Sequence, residues 1–78
     1  MSYLPVIKAV KLVPILARMG FKVVRQKGSH IHLEHIVDKA IKITIPVHNK
    51  DLPRKTLLSI LKQGKINVKD FIKAVRKR

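Results

Sequence analysis

Between residues 9 and 19 the apolar positions Val10, Leu12, Val13, Leu16 and Met19 recur at spacings of three and four. That period predicts a helix with one stripe turned to a core, stopped by Gly20. Pro14 sits inside it. Proline lacks an amide hydrogen and crowds the carbonyl four residues back, so the helix is expected to start at about Lys11 rather than run through a kink. Upstream, Leu4-Pro5-Val6-Ile7 reads as an extended lead-in, because a residue before proline is held out of the helical region. After Gly20 the period changes to two. Phe21–Lys27 reads as a strand with Phe21 and Val23 on one face and Lys22, Val24 and Gln26 on the other. Gly28-Ser29 is a turn, and His30–His35 alternates strictly: Ile31 and Leu33 toward the core, His30, His32 and Glu34 away from it. Residues 37–40 fit a hairpin connection to a third, β-branched strand over 41–45, whose Ile41, Ile43 and Ile45 point inward and which Pro46 ends.

Residues 46–53 form a loop that presents His48 beside Asn49 and Lys50. Leu57, Leu58, Ile60 and Leu61 then give one apolar face to a helix over Arg54–Gln63, with Gly64 as its stop. Asn67 is the expected cap of a short last helix carrying Phe71, Ile72 and Val75 and running into the basic Arg76-Lys77-Arg78. Asp70, three residues after Asn67, only partly matches a capping box. The order is helix, three antiparallel strands, helix, short helix, which packs most naturally as an α+β two-layer sandwich. Helices would cover one face of the sheet. The other is left to His30, His32, Lys22, Val24, Gln26, Lys42 and Thr44.

Charge turns that open face into a functional argument. The chain holds 18 Lys and Arg against 4 Asp and Glu, a formal +14 over 78 residues. Such a surface calls for a polyanion, and nucleic acid is the leading partner because each neutralised phosphate releases counterions. An acidic protein could use the same surface. Membrane binding fits less well, since the cations are spread over every segment rather than one amphipathic helix. Two Phe and one Tyr are too few for base stacking to be the main grip. With no cysteine, disulfides, thiolate metal sites and thiol catalysis are excluded. The length suits one domain, and the opening Met1-Ser2-Tyr3-Leu4-Pro5 lacks the pattern of a secretion signal, so a cytoplasmic protein is expected.

Candidate chemistry centres on His30. Imidazole titrates near neutrality, so a histidine at a turn amid cations suits acid/base work on a phosphodiester; the plainer reading is an exposed strand histidine that only adds affinity. His32 shares its face and reads more simply as surface filler. His48 is balanced between a second catalytic group and a loop cap. Zinc is not expected: alternation sends His35 to the face opposite His30, and no cysteine or carboxylate completes a set.

Gly20-Phe21, then Arg25-Gln26-Lys27-Gly28-Ser29-His30, then Ile45-Pro46-Val47-His48, then residues 56–63 with Thr56-Leu57-Leu58 at their start, in this order and spacing, resemble the HicA family of toxins from toxin–antitoxin pairs over nearly the whole chain. The resemblance implies a single HicA-like domain over residues 1–78 with a fold like that of double-stranded-RNA-binding domains. It implies an endoribonuclease, an mRNA interferase, neutralised by a HicB-like antitoxin. The catalytic histidine of the family's Gly-Ser-His turn falls on His30, with support expected from Gly28, Ser29, His48 or His32 and RNA binding from Lys22, Arg25, Lys27, Lys42 and Lys50. No cofactor or metal is implied. One position departs: the family usually carries glycine before the Thr-Leu of the second helix, and Lys55 stands there. A noncatalytic RNA-binding domain of the same fold is the alternative.

Overall fold

The computed structural model describes residues 4–47 and 50–76. Six elements follow one another: α1 (Ala9–Arg18), β1 (Phe21–Lys27), β2 (His30–His35), β3 (Lys42–Pro46), α2 (Arg54–Gln63) and α3 (Val68–Arg76). The strands form an antiparallel sheet in the order β1-β2-β3. α1 packs on β1, α2 on β3, and α3 on α1. This is the α+β two-layer arrangement, like that of a double-stranded-RNA-binding domain, with α3 following it. The core lies between the layers, where Leu12, Leu16, Leu33, Ile43, Ile45, Leu57, Ile60, Leu61 and Phe71 are all less than 2% exposed.

α1 begins earlier than the pattern predicts and runs through Pro14. The amides of Lys11 and Leu12 close the first turn on the Lys8 carbonyl at 3.0 Å. Lys8 is itself held by a backbone β-bridge to Asp51, in which Leu52 N–H donates to the Ile7 carbonyl at 2.8 Å. Tertiary anchoring and complete burial of Ala9 thus fix the start, and Pro14 forgoes the bond its amide would have made to Val10. The buried stripe is Ala9, Leu12, Ile15 and Leu16; Val10, expected inside, is 61% exposed.

Pro46 does not stop β3 but belongs to it, opposite His30. β3 is an edge strand, where a missing donor is tolerated. Its open edge is covered by α2, since the Gln63 side-chain carbonyl accepts the Thr44 N–H at 2.9 Å. In the connection from β2, Asp38 Oδ1 accepts the Ala40 N–H and the Asp38 carbonyl accepts the Ile41 N–H.

α2 ends as expected, for a different reason. Gly64 has an ordinary φ of −83°, and the left-handed residue is Lys65 at 53°. The amides of Lys65 and Ile66 donate to the carbonyls of Lys62 and Leu61, the paired bonds of a Schellman turn. Gly64 is required by space: a Cβ there would lie 2.6 Å from Ile43 Cδ1 and 3.1 Å from Phe21 Cζ. Lys55 occupies the first turn of α2 without backbone strain, because Lys65 is the one non-glycine residue with positive φ among those described. Asn67 does cap α3, its Oδ1 accepting the Lys69 N–H at 2.7 Å.

Candidate nucleic-acid interface and active site

The sheet face away from the helices is a grid three strands wide. Cross-strand register sets Lys22, Glu34 and Lys42 in one row, Arg25, His32 and Thr44 in the next, and Lys27, His30 and Pro46 in the last. A bulge decides this pattern. Val23 pairs with Leu33 but Arg25 pairs with His32, so Val24 is the extra residue. Unbroken alternation would have put Gln26 on the histidine face and turned Arg25 and Lys27 away. The bulge does the reverse: Arg25 and Lys27 join the histidines, and Gln26 falls opposite Ile31 on the helix side. No local sequence signal marks Val24, because a bulge is visible only against the partner strand.

The turn that carries His30 is built as the sequence suggests. Lys27 pairs with His30 across a two-residue loop in which Gly28 has φ +56° and Ser29 does not share that region, the geometry of a II′ hairpin turn. His30 opens β2 and is exposed, between Lys27 on one neighbouring strand and Pro46 on the other. The Ser29 carbonyl accepts the Val47 N–H at 2.6 Å, tying the turn to the residue before His48. His48 and Asn49 themselves lie outside the described residues, as do Lys77 and Arg78 of the basic end. Lys50 is exposed in the loop after β3 and is not in register on the grid.

His32 is half-buried, and its Nδ1 lies 3.2 Å from Thr44 Oγ1. Thr44, whose N–H Gln63 holds, stands opposite His32 in the strand register, on the open face where alternation expects it. His35 takes the opposite face, as alternation predicts. Its Nδ1 accepts the N–H groups of Val37 and Asp38 at 3.1 Å each, and its ring meets Phe21 edge-on at 5.1 Å. It is a structural histidine. Among the described residues no group of three or more His, Asp or Glu could hold a metal ion, and no helix is long and apolar enough to cross a membrane.

A basic sheet face with an exposed histidine at a glycine turn is thus on one side of the molecule. A family model described as the HicA toxin of bacterial toxin–antitoxin matches residues 10–66, most of the 78. The chain belongs to the HicA toxin family. No curated protein matches it. The HicA match takes in all of the grid and α2, and it stops just before α3.

Proposed function

We propose that this HicA-family protein is an endoribonuclease that cuts mRNA on the open sheet face, with His30 as the general base. The observation that carries the reading is the grid itself: an exposed imidazole bordered by Lys27, with Arg25, Lys22 and Lys42 on the same surface. His30 takes the proton of a ribose 2′-hydroxyl. The 2′-oxygen attacks the adjacent phosphorus, and the bond from phosphorus to the 5′-oxygen breaks. His32, with Nδ1 engaged by Thr44, returns a proton from Nε2 to the leaving oxygen. The products are a 2′,3′-cyclic phosphate and a 5′-hydroxyl, and the net change is one proton moved between oxygens with no metal called for. Fixed cations stabilise the charge that gathers on the phosphoryl oxygens, where preorganised positive groups contribute most. Gly28 supplies the turn, and Ser29 reaches the phosphate or completes that turn. The whole chain acts as one HicA-like domain in the cytoplasm, and a HicB-like antitoxin silences it by covering the same face.

Purified protein incubated with a long RNA in EDTA is expected to cut it. RNA that is retained on the protein but stays intact would favour the noncatalytic RNA-binding domain instead.

A further inference from the structure

Glu34 is out of place on a surface meant for phosphates. It is the one acidic side chain of the grid, half-buried in the middle strand, in register between Lys22 and Lys42. Opposite charges on both sides suggest a cross-strand ladder, yet among the described residues its carboxylate enters no ion pair. Instead it borders a hollow of about 410 Å³, together with Val24, Arg25, His32, Lys42 and Thr44. The bulge makes this hollow, since it brings both Val24 and Arg25 to the rim next to His32.

The chemistry of the lining suits a nucleobase rather than a phosphate. Val24, 44% exposed, offers an apolar wall. Arg25 and His32 offer planar groups on which bases of single-stranded RNA commonly stack. Glu34 adds an acceptor that would repel a phosphate, and its two oxygens match a base edge with two adjacent donors. Guanine has that edge, with N1–H beside the 2-amino group, whereas adenine and cytosine present one amino group and uracil one imino hydrogen.

We propose that the hollow is a nucleobase subsite selective for guanine, one row from His30, with Glu34 as its specificity-determining residue. It rests on the reading of this face as an RNA-cutting surface, and it names which nucleotide that surface holds.

The test is binding of 2′-O-methylated, uncleavable pentauridylate and its variants with G, A or C at the central position, measured by fluorescence anisotropy for the parent and Glu34→Gln. The parent is expected to favour the G probe about tenfold, the scale of one paired base-edge contact. Glu34→Gln should bring all probes within about threefold of one another without weakening the all-U probe, because a negative charge has been removed from a phosphate-binding face. Equal binding of all probes by the parent overturns the subsite while leaving the RNA face standing. A Glu34→Gln protein that keeps the G preference overturns the assignment of specificity to Glu34, whether or not its denaturation midpoint falls. Binding to none of the probes overturns both the subsite and the RNA-face reading.

Discussion

His30→Ala is expected to cut RNA about 10² to 10⁴ times more slowly than the parent, the usual contribution of a positioned proton-transfer group. RNA affinity should change little. His30 is exposed at the end of β2 and packs on nothing in the core, so its removal leaves no cavity and the denaturation midpoint should hold. On the proposed reading affinity rests on Lys22, Arg25, Lys27 and Lys42, which remain. Comparing cleavage rate with RNA retention and urea unfolding for the two proteins therefore separates chemistry from binding and folding. A His30→Ala protein that cuts as fast as the parent would remove the histidine from the mechanism.

The second large effect falls on stability. Phe71→Ala should destabilise the fold by about 3–5 kcal/mol, the range for emptying a large buried aromatic site. Phe71 is completely buried although it comes from α3, the helix beyond the family match at residues 10–66. A chain of this length has a total stability of only about 4–12 kcal/mol, so one side chain of α3 carries a large share. Other ties of α3 are lighter: Arg18 donates to the Ala74 carbonyl at 2.8 Å, and Ile72 and Val75 are half-buried. The urea midpoint is expected to fall steeply for Phe71→Ala and far less for Ile72→Ala. A loss below about 1 kcal/mol at Phe71 would make α3 an ornament on a domain complete at residue 66.

Much of this architecture was legible where the signal is local. The ends of β1, β2 and α2 follow from a period of two or of three to four bounded by Gly20, Gly28 and Gly64, and the structure keeps those bounds. The exposure of His30 follows from alternation and its place at the turn. What escaped was set at a distance. The start of α1 depends on Lys8 meeting Asp51, far along the chain. The need for glycine at 64 comes from Ile43 and Phe21 pressing on it, not from backbone freedom. The grid owes Arg25 and Lys27 to a single extra residue, Val24, whose effect exists only relative to β2. The bond between His32 and Thr44 likewise requires knowing which residues of two strands stand opposite. Sequence therefore identified the histidine at the turn, and register identified what surrounds it.

Whether a ribose hydroxyl activated on this face breaks the RNA chain is read from the ends of the fragments. RNA cut by the parent protein in EDTA, examined by mass spectrometry, should carry 2′,3′-cyclic phosphates and 5′-hydroxyls. Fragments ending in 3′-hydroxyls and 5′-phosphates would mean that water, not the ribose, attacked the phosphorus, and would rule out the 2′-hydroxyl route.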